Sequence, residues 1–567
     1  MKRFAVLSLL IFNFYIQNCF SQSSCMIIPD TVCVNNEVTP ESGCAYNTQY
    51  WNFCGGEISE TPVVLDRGTL SYMNSPVRIT VALDNGVYYA FWTNFFNGNI
   101  TKCVFGNSLK NIPVTYDLGN IGGLFTSLDE GIQLIHENGK WYAFLVGSGS
   151  KFFRIDFGTS LNNPSPTATS FGTIGNMNLP HGLYMFQENG KWMGLVANAQ
   201  SNSFTRIVFP DSLTGVPVAT NSGVVPGVNY PTSIYPVKEN DSCYALVTSK
   251  GSNEIYRFNF GNSYMNSQMN ITNLGNIGAL NEPFDIAVIR DCDKSFGIIS
   301  NKYHIAKVKM PGGVAGNYDG DTLYYGSLNR CEGISNAIRQ GDSLYYLIVN
   351  AGNRLTVLGF GTCVGNIPNY NGQSTFSMNF PNTGTYSVSL TLNEGQYNQV
   401  SECKTITVVP EPVTPVLTLD QDTIFASPAS NIIWYFNDQV IPNQHNAFIT
   451  ATAPGQYYAV NDNGYCLSDT SNNIIVSSVA LNGYSTTSWN CYISGNILEL
   501  SYAGLKSKWM KTEIIDITGK RMLSFENNID YSSGTVQLLL KGVPSGLMFV
   551  RVNTQYESAI FKIIKSE

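Results

Sequence analysis

Five side chains spread along the middle of the chain could converge to do chemistry: Arg78, Glu130, His181, Asp285 and Glu332. Carboxylate and imidazole together suit a divalent cation or a general acid–base pair, and Glu130, His181 and Glu332 are the residues a hydrolase or lyase would use. An arginine among acids has a simpler explanation, and an ion pair of Arg78 with Glu130 or Glu332 is the stronger expectation over a metal site. The five are read as ligand contacts; no catalytic residue, metal ligand or cofactor is assigned. His136, His304 and His445 fall at unrelated positions, whereas a zinc or general-base constellation needs convergent geometry. No Gly-x-Ser-x-Gly elbow, phosphate-binding loop or His-Glu-x-x-His motif occurs. Asp319-Gly320-Asp321 lacks a following acid at calcium-loop spacing and reads as a hairpin turn. Trp92, Trp141 and Trp192 read first as packing residues, with a sugar-stacking platform as the alternative that exposure would reveal.

A repeat brings residues so far apart in sequence together. A Phe-Gly-(Asn/Thr)-Ser-Leu element, or a decayed copy, begins at Phe105, Phe157, Phe209, Phe260, Met310 and Phe360, in steps of 52, 52, 51, 50 and 50 residues. Several short strands per copy at that period are what radial repetition of four-stranded sheets produces, so a six-bladed β-propeller is expected. Asn85-Gly86, Asn138-Gly139 and Asn189-Gly190 precede aromatic-rich strands and predict tight hairpins. Aligning the first strands sets Val77, Glu130, His181, Thr232, Phe284 and Glu332 at one ring position. Arg78, Gly131, Gly182, Ser233, Asp285 and Gly333 stand at the next, at the mouth of the central channel. Val63 to Gly68 resemble a displaced outer strand, while the last copy stops at Phe360-Gly361 without one. Residues 63–68 are therefore expected to complete the last blade, closing the ring and removing open edges.

The propeller is expected over residues 61–363, between two half-motifs. Upstream, in 22–60, lies Tyr50-Trp51-Asn52-Phe53-Cys54-Gly55-Gly56; downstream, in 364–409, lie Gly384-Thr385-Tyr386-Ser387-Val388-Ser389-Leu390 and Cys403 to Val408. Together they resemble a PKD (polycystic kidney disease) domain, whose motifs are Trp-x-Phe-Gly-Asp-Gly and Gly-x-Tyr-x-Val-x-Leu; Cys54 and Gly55 stand where that family has glycine and aspartate. The resemblance implies one sandwich into which the propeller is inserted at a surface loop. After the stiff linker Pro410 to Pro415, residues 411–479 read as an Ig-like unit, from Ile432-Ile433-Trp434-Tyr435 and the late hairpin around Gly455 to Cys466. Residues 490–567 resemble the type A C-terminal sorting domain of proteins exported by the type IX system of Bacteroidota, on Thr512 to Lys520, Gly542 to Val552 and Phe561 to Lys565. That resemblance implies the type IX secretion machinery as a partner and delivery to the cell surface or release.

Met1-Lys2-Arg3, the apolar run Phe4 to Tyr15 and Cys19-Phe20-Ser21-Gln22 predict a signal peptide over residues 1–21. No later stretch approaches the ~18 apolar residues of a membrane span. Twelve cysteines follow it, and an even number in an exported chain predicts disulfides whose pairing spacing leaves open. A net charge of -8 with no Lys/Arg cluster argues against a nucleic-acid partner. Tyr 32, Phe 31 and Gly 51 without helical periodicity indicate an all-β chain. The sum is an exported six-bladed propeller with Ig-like sandwiches that binds an extracellular protein or glycan in adhesion. An exported hydrolase or lyase at the channel mouth is the alternative.

Overall fold

The computed structural model describes residues 24–54, 58–125, 130–210, 212–292, 294–324, 326, 328–477, 487–529 and 532–566. The expected signal peptide lies outside them. Short apolar runs broken by tight turns give strands almost throughout: Asn85, Asn138 and Asn189 take φ of 50°, 50° and 51°, and the glycines after them 77°, 73° and 76°, the paired positive values of a type I′ turn.

Five blades are consecutive four-stranded antiparallel sheets whose inner strands are Pro76–Asp84, Gly131–Glu137, Pro180–Glu188, Pro231–Glu239 and Asp285–Asp291. The sixth runs Cys331–Ile334, Ser343–Asn350, Arg354–Gly361 and then Val63–Thr69. Arg354 pairs with Thr69 and Gly359 with Val63, so an early strand forms the outer edge of the last blade. Apolar packing is continuous between blades: Ile79, Val81 and Trp92 of the first share a core with Tyr345, Leu347 and Val357 of the sixth.

The period of about fifty residues has a physical origin in polar contacts between blades. An acid or amide ends each inner strand or its continuation and reaches into the next blade. Asp84 accepts Ser160 Oγ–H and Leu161 N–H, both at 2.8 Å, and Trp141 Nε1–H at 3.1 Å. Glu137 accepts Leu213 N–H at 3.4 Å and the Trp192 indole N–H. Glu188 accepts Tyr264 N–H at 3.0 Å and Ser263 Oγ–H at 2.9 Å. Glu239 accepts Val314 N–H at 3.0 Å, and Gln340 accepts Leu109 N–H at 2.9 Å. Those N–H groups belong to the fifth residue of each repeated element. A base on the third strand of the same blade then donates to a carbonyl at the end of that element or just after it: Lys102 to Asn162, Arg154 to Leu213, Arg206 to Asn266 and Arg257 to Val314. The four copies beginning at Phe157, Phe209, Phe260 and Met310 are thus sockets for one acid and one base of the preceding blade. Asp291 instead accepts Ile58 N–H at 2.8 Å, because Phe360-Gly361 runs straight into Thr362-Cys363 and lacks the Ser-Leu turn.

The flanking halves fold as one sandwich. Its five-stranded sheet has the order Thr31–Cys33, Val400–Val409, Gly384–Leu392, Gln49–Asn52, Tyr370–Gly372. Trp51 is fully buried there with Phe53, Phe380, Val388, Leu390 and Ile406. Cys54–Cys363 ties the two crossings into the propeller, Cys292–Cys403 ties the fifth blade to the sandwich, and Cys25–Cys44 lies within the sandwich.

The sandwich loop Asn393–Gln399 caps the channel at the end away from Arg78. Gly395 O accepts Tyr184 Oη–H at 3.1 Å and Tyr235 Oη–H at 3.3 Å from two inner strands. Glu394 pairs with buried Arg339, and Gln399 exchanges two 2.6 Å hydrogen bonds with Arg290. Gly395 takes φ of 72°, and a Cβ there would lie 2.5 Å from Ala337; both demands select glycine.

The expected disulfides form, while Cys103, Cys243, Cys331 and Cys491 are free thiols. The first three are buried in blade strands and behave as small apolar side chains; burial pushes Cys243 and Cys331 up to about 12.

Residues Glu411–Glu567 form a second compact unit of two sandwiches. In one, Val416–Asp420, Thr423–Ser427 and Phe448–Thr450 face a four-stranded sheet containing Ile433–Phe436. Its fully buried Trp434 donates Nε1–H to Asn446 O at 3.0 Å. In the other, Ser488–Ser494, Ile497–Ala503 and Ser533–Leu539 form one sheet, and Arg521–Asn528, Trp509–Ile515, Gly546–Thr554 and Ser558–Lys565 the other. Among the described residues no helix is long and apolar enough to cross a membrane.

The sockets predict a stability cost. Glu188→Ala leaves the buried Tyr264 N–H without its acceptor, at about 2–4 kcal/mol given the charge-assisted bonds lost. Thermal melting of the purified protein should fall by several degrees, with Glu188→Gln intermediate; unchanged melting of Glu188→Ala would show that the acid does not hold the blades.

Candidate functional site: the channel mouth and the capped end

At the mouth the inner strands come so close that three of six ring positions must be glycine. A Cβ on Gly131 would lie 2.9 Å from His181 O, on Gly182 2.7 Å from Ser233 Cα, and on Gly333 2.9 Å from Arg78 Cα. Arg78 fills the axis above them. Its Nη1 meets Asp285 Oδ2 at 2.5 Å, and Nη2 donates to Thr232 O at 2.5 Å and Phe284 O at 3.2 Å. Asp285 also accepts Ser233 Oγ–H at 2.6 Å, its neighbour Ile286 N–H at 3.0 Å and Ile334 N–H at 3.2 Å.

Arg78 therefore pairs with Asp285, where the sequence reading expects Glu130 or Glu332. Arg78 and Asp285 occupy the same ring level, and the intervening glycines leave the axis open for a side chain to cross it. Glu130 belongs to the adjacent level and pairs with His181 Nδ1; Glu332 pairs with Arg330 at 2.6 Å. The five residues share one end of the channel but are engaged in three separate pairs. Deeper in, the inner strands enclose about 50 Å³, room for a few waters and not for a sugar ring. Among the described residues no cluster of three or more His, Cys, Asp or Glu is arranged to hold a metal ion.

The Glu332 carboxyl is displaced from its ordinary titration. Burial pushes its carboxyl up to about 7, Arg330 opposing this and the Glu130 charge adding to it.

The capped end is roomier. Between the inner strands of blades one to three and the sandwich lies a cleft of about 740 Å³. The three propeller tryptophans divide here: Trp92 is fully buried, whereas Trp141 and Trp192 are half-buried and line the cleft. Both rings are oriented by the sockets, Trp141 through Asp84 and Trp192 through Glu137, and His136 lies 4.5 Å from the Trp141 ring. Tyr397 stands on the sandwich side, its hydroxyl donating to Gln187 O. Sequence reasoning missed this cleft because one side of its wall comes from a sandwich loop some two hundred residues away. One signal was present: Trp141 and Trp192 share a position that Tyr88, Cys243, Ser295 and Leu344 hold in the other copies.

No protein-family model matches the chain, and no curated protein matches it. Among solved structures it is similar to an alpha-L-arabinofuranosidase from Podospora anserina, at 13% identity and a TM-score of 0.32, over 41% of this chain and 91% of that one. It is also similar to a DUF4623 family protein from Bacteroides eggerthii, at 10% identity and 0.34, over 60% and 83%. A third is AofleA from Arthrobotrys oligospora, at 9% identity and 0.37, over 63% and 97%. These likenesses are too weak for any activity to pass to this chain.

Glu332 generates a prediction with a definite sign. Its native carboxyl titrates near 7 against an ordinary 4.5, so between those values the native state holds a proton that the unfolded state has lost. Stability from this group is greatest below pH 4.5, falls as pH rises to 7 and is flat above. Glu332→Gln should melt above the wild type at pH 8, by the equivalent of about 2–3 kcal/mol, with the gap shrinking toward pH 4.5. Parallel melting curves from pH 4.5 to 8 would contradict the assignment.

Proposed function

We propose that the protein is an exported binding protein that holds a glycan in the cleft between the propeller and its cap. The observation that carries this reading is the pair of half-exposed indoles, Trp141 and Trp192, facing polar side chains across about 740 Å³. Indole faces stack on the apolar faces of sugar rings, and a concave site mixing aromatic surface with a few polar groups suits a small ligand. In this reading Arg78, Glu130, His181, Asp285 and Glu332 hold the channel mouth together, Arg78 paired with Asp285, Glu130 with His181 and Glu332 with Arg330.

Export is supported by the disulfides, which persist in oxidising compartments. The signal-peptide pattern and the resemblance of residues 490–567 to a type IX sorting domain support delivery to the cell surface or release, where glycan recognition would serve adhesion. The resemblance of the split sandwich to a PKD domain supports a display role for the modules around the propeller.

Glu332 favours a second reading. A carboxyl titrating near 7 suits a general acid, with Glu130 as the second carboxyl group, in a hydrolase or lyase at the channel mouth.

A binding screen of the purified protein against immobilised glycans separates the two. Binding should be weakened at least tenfold in the Trp141→Ala/Trp192→Ala double variant, with no release of reducing sugar. Undiminished binding by that variant contradicts the cleft reading, and sugar release abolished by Glu332→Gln would establish the enzyme instead.

A further inference from the structure

We infer that the glycan is uncharged and is gripped from both walls of the cleft; this rests on the cleft reading above. Among the described residues no lysine or arginine lines the cleft. A sulfated or uronate-bearing chain would therefore lose its hydration without meeting a cation, a cost that only charge-assisted bonds offset. The two carboxylates in the lining are already engaged, Glu137 by the Trp192 indole and Leu213 N–H and Glu394 by Arg339. A cationic amino sugar would find no free counter-charge.

Most of the polar groups left for a ligand are carboxamides, beside the exposed His136 imidazole and Thr48 hydroxyl. Gln187 on the third blade and Asn47, Gln396 and Asn398 on the sandwich line the cleft. All four are exposed or half-exposed, and among the described residues their side chains have no hydrogen-bond partner. Each amide offers donors and an acceptor, the complement of a sugar hydroxyl, which does both. The volume lies within the ~300–1,000 Å³ of pockets that enclose drug-sized ligands, so the occupant is a short neutral oligosaccharide segment. The cap loop is pinned to the inner strands through Gly395 and Glu394, which sets the sandwich amides opposite the indoles before any ligand arrives.

Affinity electrophoresis of the whole protein in gels containing β-glucan, mannan or galactan, against polygalacturonate and heparin, tests this. At least one neutral polymer should retard the protein, the acidic polymers should not, and retardation should persist from 50 to 500 mM salt, since ion pairing would be screened over that range. Trp141→Ala/Trp192→Ala and Gln396→Ala/Asn398→Ala should each weaken retardation about tenfold or more in protein that circular dichroism shows to be folded, the amide variant melting like the wild type. Retardation by acidic polymers alone, abolished by the tryptophan variant, keeps the cleft and overturns the uncharged class. Retardation by any polymer that survives the tryptophan variant overturns the cleft itself. Loss in the tryptophan variant but not in the amide variant overturns the two-sided grip, and retardation by none of the polymers overturns the inference entirely.

Discussion

A carboxylate reaching from the end of one inner strand into the Ser-Leu turn of the next blade is the interaction on which the ring depends. Apolar packing between neighbouring sheets is strong but non-directional, and alone it would let blades slide by a residue or tilt. Asp84, Glu137, Glu188 and Glu239 remove that freedom, because each meets backbone N–H groups fixed in position by the turn. Lys102, Arg154, Arg206 and Arg257 then bind a carbonyl of the same turn, so acid and base grip opposite poles of one loop.

The same contacts prepare the cleft. Asp84 and Glu137 hold the indole N–H groups of Trp141 and Trp192, which turns a structural socket into a means of aiming two aromatic rings. The opposite wall is set by the cap loop, with Cys54–Cys363 and Cys292–Cys403 fixing the sandwich to the propeller. Neither wall has to be ordered by a ligand, so binding avoids that entropic cost. At the mouth the inner strands instead converge on three glycines, and the remaining space is taken by Arg78 and Asp285.

Repetition made much of this legible in the sequence. The six repeated elements, five led by phenylalanine and one by Met310, place the blades, and the missing outer strand after Phe360 points to Val63–Thr69. Trp51 and the Gly384–Leu392 run carry enough pattern to suggest one sandwich, and the structure pairs them in one sheet. Pairings across the ring were beyond reach: Arg78 finds its partner in the fifth blade, and no local spacing distinguishes Asp285 from Glu130 or Glu332. Asp84, Glu137, Glu188 and Glu239 recur at nearly the repeat period, yet an acid at a strand end reads equally well as a solvated turn residue until its partner is known. Buried thiols such as Cys103 likewise look no different in sequence from crosslinked ones.

Hydrogen exchange at the amides of Leu161, Leu213, Tyr264 and Val314 tests the central claim most directly. These amides lie in turns outside the strand ladders, where exchange would ordinarily be fast. The inter-blade carboxylates predict protection comparable to that of the neighbouring blade strands at all four. Exchange at the rate of exposed loops would contradict the account, leaving apolar packing alone to hold the ring.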